Sequence, residues 1–313
     1  MWSIMGWCRV GLQFFVLRMV IALDCSVDAS HKSRGGIARL LIHCADRRGV
    51  IAAVTTAVAD AGGNVLDADQ HADPVDGRFS MRLEFEGIDE AGRRAELERS
   101  LGGMNFRYWI RWQNGLPRVA VLCSKQTHCL ADLLWRASMG ELPAEVTRVI
   151  SNHEDGRGLA ESFGYGFDVL AVTKETKQEQ EAAVIERLRG DGVELVVLAR
   201  YMQILSPGFV EAFRGRVINI HHSFLPAFAG ARPYHRAFER GVKLIGATAH
   251  YVTEDLDEGP IIAQRTAHVT HRDSVEDMIR KGRDLERVVL AEAVRLHLED
   301  RVIVDGCRTV VFE

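Results

Sequence analysis

Short apolar strands alternate with amphipathic helices between Arg118 and Ala199, and this alternation constrains the fold more than any other feature. RVAVLCS (118–124), EVTRVIS (145–151), FDVLAV (167–172) and ELVVLA (194–199) read as strands. CLADLLWRAS (129–138) and a segment from about Lys177 to Gly190 read as helices. Near-continuous apolar strands must be buried on both faces, and a mostly parallel sheet between two helical layers does this. The expectation for 118–313 is therefore an α/β, Rossmann-like domain. It closes with one long helix and the hairpin RVIVDGCRTVVF (301–312).

The preceding stretch follows a different rhythm. ARLLIHC (38–44) is strand-like, Val50 to Ala61 is helical and stops at Gly62-Gly63, and NVLDADQH and RFSMRLEFEG flank the turn DPVDG. Glu90 to Leu101 is a charged amphipathic helix, and Met104 to Trp112 is a fourth strand. The order β-α-β-β-α-β predicts a ferredoxin-like α+β domain over 37–113, joined by the linker 114–117 to the α/β domain at 118–313. Residues 1–36 are expected to be an extension outside the fold. Arg9 and Arg18 interrupt their apolar run, which weakens a secretory signal or a membrane helix as the alternative reading.

Bulk composition narrows the classes. A chain that is 47% hydrophobic and 26% charged is ordinary for a globular protein. A formal charge of -4 argues against nucleic acid as a partner held by bulk electrostatics. Six cysteines without a CxxC pair suit a reducing compartment, so a cytoplasmic protein without stable membrane association is expected. The first strand-to-helix turn of the second domain, SKQTHCL (124–130), holds no glycine, although a nucleotide phosphate needs close backbone approach there. The pairs Gly156/Gly158 and Gly164/Gly166 lack the strand–helix frame. No resident cofactor is therefore expected.

The polar cluster of the chain is VINIHHSFLPAFAG (217–230). A short apolar strand delivers Asn219, His221, His222 and Ser223, and Pro226 bars a helix from starting across them. Open α/β sheets bind ligands at such strand ends. His221, His222, His235 and His250 match no zinc spacing and lack supporting cysteines, so no metal is expected. His222 either lines a site or packs. His250 falls on a strand beside the cluster.

Asn219-Ile220-His221, then Ser223-Phe224-Leu225-Pro226, then Asp257 in Leu256-Asp257-Glu258-Gly259-Pro260 resemble in order and spacing the signature of the folate-dependent formyltransferases and hydrolases. The resemblance implies catalytic roles for Asn219, His221 and Asp257. The chemistry is consistent with it: an amide and an imidazolium can stabilise an oxyanion, and a carboxylate can take the proton of an attacking water. The same resemblance implies a folate slot walled by Met202, Gln203, Ile204 and Leu205, with the loop from Val252 to Asp257, including Val252, Thr253 and Glu254, supplying backbone hydrogen bonds. Ordinary core is the alternative for Met202 to Leu205. His222, Ser223 and His250 are candidates for lining the site.

Members of that family differ in the acceptor of the formyl group. A sugar-phosphate acceptor asks for a glycine-rich turn where SKQTHCL stands, and a tRNA acceptor asks for a basic C-terminal domain. Water asks for neither. The resemblance thus implies hydrolysis of 10-formyltetrahydrofolate to tetrahydrofolate and formate, supplying formate for purine synthesis and balancing the one-carbon pool. Formyl transfer to an amine is the alternative, and a non-catalytic folate or amino-acid sensor is a third reading.

Asp46-Arg47-Arg48-Gly49-Val50 and Asn64 in the first domain resemble an ACT domain. This implies an amino-acid effector near Asp46, Gly49 and Asn64, and a homo-oligomer. A purely structural, sheet-edge dimerisation domain is the alternative.

Overall fold

The computed structural model describes residues 36–227 and 232–313. The extension predicted over residues 1–36 lies, but for Gly36, outside them, as do Phe228, Ala229 and Gly230 of the polar cluster.

The first domain has the expected order: β1 (Ala38–Ala45), α1 (Val50–Asp60), β2 (Asn64–Asp73), β3 (Arg78–Glu86), α2 (Ala91–Gly102) and β4 (Arg107–Trp112). Its sheet runs β2-β3-β1-β4, with β3 antiparallel to both neighbours and β4 antiparallel to β1. Leu40, Ile42, Met81, Leu83 and Phe85 point to one face and are essentially fully buried. Val54, Val58, Leu97 and Leu101 close over them from the two helices. β4 starts at Arg107 rather than Met104, because Asn105 turns the chain through a left-handed φ of 55°.

The second domain begins with β5 (Arg118–Cys123), α3 (His128–Ser138), β6 (Glu145–Ser151), α4 (Arg157–Ser162), β7 (Phe167–Val169), α5 (Lys177–Gly190) and β8 (Leu195–Ala199). It continues with α6 (Pro207–Ala212), β9 (Val217–His221), α7 (Pro233–Arg240), β10 (Leu244–Tyr251), β11 (Ile261–His268) and α8 (Val275–Leu298). The hairpin β12 (Val302–Asp305) and β13 (Arg308–Val311) ends the chain. The seven-stranded sheet is ordered β11-β10-β9-β8-β5-β6-β7. β5 to β9 are parallel, and β10 and β11 reverse direction at one edge. The α/β class, the ferredoxin-like first domain and the mostly parallel second sheet all stand as the sequence implied.

Three short helices carry no periodic signature, since six to eight residues hold at most two turns: α4, α6 and α7. α6 is set by its ends, with Ser206 accepting from the Phe209 amide and Pro207 at the first helical position. Gly156 caps α4, and a Cβ there would sit 3.0 Å from the Phe167 ring. Gly156 therefore serves packing, whereas a Cβ at Gly158 would meet nothing within 4 Å. α8 starts with a capping box in which Ser274 and Asp277 satisfy each other's amides.

The two domains meet at the C-terminal end of α8. Arg82 of β3, 2% exposed, donates to the Glu299 carbonyl and pairs with Asp67 and Glu84 at 2.9 and 2.8 Å. Arg39 donates to the Leu298 carbonyl, and Arg111 bridges Asp300 and Glu194 at 3.0 and 2.8 Å. Three guanidiniums thus face the carbonyls and acids at a helix C-terminus, where positive charge is favourable. Behind them, Leu41 packs on Ile303 and Phe312 of the closing hairpin. Replacing one partner of a buried ion network costs about 3 kcal/mol. Arg82→Ala is therefore expected to lower stability by about that amount, read as a drop in the denaturant midpoint; an unchanged midpoint would show that the network contributes nothing.

Candidate active site

Period-two geometry explains how the site assembles. Asn219 and His221 are two apart on β9, so they face the same side. β10 lies antiparallel beside β9, with His250 opposite Asn219 and Thr248 opposite His221. The β10–β11 register slips between Ala249 and His250, a bulge next to the site. Thr248 ties down the following turn: its hydroxyl donates to the Ser223 carbonyl at 2.9 Å and accepts from the Leu225 amide at 3.0 Å.

Asp257 comes to the same place from the loop after β10. Its φ of 58° is left-handed, a conformation an aspartate tolerates better than most residues. Gly259 lets this loop lie against β10, since a Cβ there would fall 1.7 Å from the Tyr251 carbonyl oxygen. One carboxylate oxygen of Asp257 lies 3.2 Å from His221 Nδ1, and the other 3.8 Å from His250 Nε2. The His221 hydrogen bond holds the Asp257 carboxyl below the usual carboxylate range, outweighing its partial burial.

His250 is 2% exposed, and burial pushes its imidazole below the ordinary histidine range. Its Nδ1 donates to the Tyr251 carbonyl at 2.9 Å, which leaves Nε2 as an acceptor for the Asn219 amide nitrogen at 3.3 Å. One Asn219 N–H is thereby fixed, and the second is free to point outward. His221, 6% exposed, has its Nδ1 on Asp257 and an Nε2 with no protein partner. A buried polar atom without a partner costs free energy and calls for a ligand or water.

These groups line a cavity of about 460 Å³. Of the residues singled out in the sequence, Asn219, His221, His222, His250, Asp257, Met202, Gln203, Ile204, Leu205, Val252, Thr253 and Glu254 all border it. Met202 and Ile204 are 61% and 60% exposed, so the segment is an open apolar wall rather than ordinary core. Ser223 is placed elsewhere: it borders a separate cavity of about 210 Å³ with Phe224 and Tyr234. His222 lies between the two, its ring centre 5.0 Å from that of His221, and burial pushes its imidazole down to about 4. Asp255 and Leu256, within the loop expected to supply hydrogen bonds, also border the main cavity; Arg200 and Arg232 border it as well and were missed by sequence reasoning. Arg200 and Arg232 have left-handed φ values of 62° and 52°, which no local pattern announces.

Among the described residues, no metal-binding group forms around His221, His222, His235 and His250. The cluster able to share a cation is His128, Cys129 and Glu286. In the first domain, Asp46 and Gly49 sit at the β1–α1 turn, where Gly49 has a φ of 87°. A single chain does not bring Asn64 to them. Asn64 pairs with Glu86 and Ala45 with Arg78, at opposite ends of β3, roughly 25 Å apart at the rise of a strand. The reason is the α1 crossover, which returns the chain to the start of the sheet before β2 begins.

The ACT domain family model matches residues 38–102, and the Formyl transferase model matches residues 117–294. Formyltetrahydrofolate deformylase from Synechocystis sp. is 51% identical over 279 residues, spanning 88% of this chain and 98% of that protein. The Bacillus subtilis protein of the same name is 47% identical over 279 residues, spanning 88% and 93%. The crystal structure of a formyltetrahydrofolate deformylase from Pseudomonas syringae pv. tomato superposes with a TM-score of 0.85 at 43% identity, covering 90% of this chain and 96% of that one. Two domains in the same order, matched over nearly the full length of these relatives, place this chain in the formyltetrahydrofolate deformylase family.

Proposed function

We propose that the protein hydrolyses 10-formyltetrahydrofolate to tetrahydrofolate and formate. The observation that carries this reading is the convergence of Asn219, His221 and Asp257 on one cavity, with His221 Nε2 and one Asn219 N–H left free to face a substrate. The pterin ring would lie along Met202 to Leu205 and take hydrogen bonds from the loop of Val252, Thr253 and Glu254. An apolar slot with few polar groups suits a flat heterocycle.

In this mechanism Asp257 holds a water against the formyl carbon and accepts its proton as the new C–O bond forms. The carbonyl oxygen becomes an oxyanion that receives hydrogen bonds from Asn219 Nδ2 and His221 Nε2. Asp257 returns that proton to N10 as the C–N bond breaks, and the product leaves as formate once its hydroxyl proton passes to solvent. His250 acts on Asn219 rather than on the substrate, since its Nε2 already receives that amide. No step needs a metal or a resident cofactor. Formyl transfer to an amine is the competing reading, and formate released in stoichiometric amount without any acceptor separates the two.

The first domain gives the reading a control point. We infer a homo-oligomeric, cytoplasmic enzyme whose ACT domain binds a small amino acid and shifts the population of active molecules by differential affinity for two states. Asp46 and Gly49 of one protomer would then act with Asn64 of a neighbour, since one chain holds these positions apart. Formate supply for purine synthesis and balance of the one-carbon pool follow as its role. Titration with the common amino acids should change kcat/KM with at least one of them; an unchanged rate across the series would sink the regulatory proposal.

Two variants test the chemistry. Asp257→Asn keeps the shape of the site but cannot accept a proton, so kcat should fall at least about 10³-fold while equilibrium binding of a non-hydrolysable folate persists. A variant retaining near-normal turnover would remove Asp257 from its assigned role. His221→Asn removes the largest influence holding the Asp257 carboxyl down, while its burial remains. The acid limb of kcat/KM should therefore move to higher pH than in the parent protein, alongside a lower plateau. A limb that stays put, or moves to lower pH, would contradict the pairing.

A further inference from the structure

In a doubly wound sheet, ligands enter at the carboxyl ends of the strands, where the strand order reverses. Here β6 lies on one side of β5 and β8 on the other, so the reversal falls between β5 and β8. The crevice beyond these two strands is therefore the place in this fold that a second substrate would occupy. In this protein it is crossed by the chain's own side chains. From the β8 side, Arg200 Nε donates to Gln126 Oε1 at 3.1 Å, and the Met202 amide donates to Ser124 Oγ at 3.0 Å. From the β5 side, His128 Nε2 meets Glu286 Oε2 at 2.8 Å.

Glu286 is the centre of this closure. It is 1% exposed on α8, and Arg200 lies 3.4 Å from the same carboxylate oxygen that His128 holds. Tyr234 donates to the other oxygen at 3.0 Å. Gly282, one turn earlier on α8, makes room for Tyr234, since a Cβ there would fall 1.9 Å from its hydroxyl. Burial acts to raise the Glu286 carboxyl, yet the bonds from His128, Arg200 and Tyr234 leave it below the usual range. Although His128, Cys129 and Glu286 could meet a cation, both carboxylate oxygens are already engaged and a guanidinium stands beside them. A cation would be repelled.

The closure reaches the reacting groups. Arg200 and His222 border the same cavity as Asn219, His221 and Asp257. The His222 ring centre lies 6.3 Å from that of Tyr234 on the network side and 5.0 Å from that of His221 on the other. Arg200 is held with a φ of 62°, in the left-handed region that costs a branched or long side chain. A strained arginine kept beside a reacting centre implies that its side chain has a job there.

We propose that the Arg200–Glu286–His128–Tyr234 network is the specificity device of this enzyme: it fills the acceptor side of the site and leaves room for water but not for an amine. This rests on the hydrolase reading and adds to it the residues that select the acceptor. With the network opened, an amine nitrogen could attack the formyl carbon. A new C–N bond would form as the C–N10 bond breaks, and N10 would gain the proton that the amine loses. The products would be an N-formyl amine and tetrahydrofolate, with no formate.

The test uses the full chain with 10-formyltetrahydrofolate and excess glycinamide, a compact primary amine, and measures formate and N-formylglycinamide together. Arg200→Gly is the first variant, because glycine is at ease at a φ of 62° and Glu286 keeps His128 and Tyr234. His128→Ala and Gln126→Ala open the network from the other side. The parent protein should give formate alone, and at least one variant should raise the ratio of N-formylglycinamide to formate by about tenfold or more. The proposal is overturned if no variant yields the amide above the parent, whether through continued hydrolysis or loss of turnover. It is equally overturned if the parent already formylates glycinamide. Failure of the hydrolase reading is distinct: without glycinamide, the parent would release no formate.

Discussion

The antiparallel pairing of β9 with β10 is the constraint on which the site depends. The other neighbour of β9, β8, runs parallel to it. Reversal at β10 instead sets His250 directly across from Asn219 and Thr248 across from His221. Two residues of each strand then share one face, and the loop leaving β10 returns past them with Asp257. Gly259 permits the close approach of that loop. Donors, acceptor and carboxylate are thus fixed by backbone pairing rather than by flexible side chains, which is what preorganised electrostatic stabilisation requires.

α8 connects this site to the first domain. Glu286 lies near its middle and holds Arg200, His128 and Tyr234, while its C-terminal end receives Arg39, Arg82 and Arg111 from the first sheet. Tyr251, whose carbonyl fixes His250, also reaches α8 through His297 at 2.7 Å. The helix is 24 residues long and is engaged both near its middle and at its C-terminal end.

Much of this was legible in the chain itself. Strand alternation and helical spacing placed every strand that carries a site residue, because long apolar runs bounded by turns leave few other solutions. Asn219, His221 and Asp257 could be named as well, since their spacing within a motif is a property of the chain. The short helices α4, α6 and α7 were not, being set by end-capping and packing rather than by periodicity. β4 and β7 came out shorter than their apolar runs, because Asn105 turns the chain before one and the sheet edge ends the other.

The sequence alone determined the fold class, the order of the two domains and residues that line the candidate site, because these follow from local patterning and side-chain type. Tertiary structure decided what those residues do to one another. Only the β9–β10 register shows that His250 holds Asn219 and that Ser223 turns away to another cavity. Only the packing of α8 against two loops shows that Arg200 and Glu286, over 80 residues apart, meet at 3.4 Å beside the cavity. Contacts between residues so far apart in the chain depend on how layers stack, and no window of sequence carries that information.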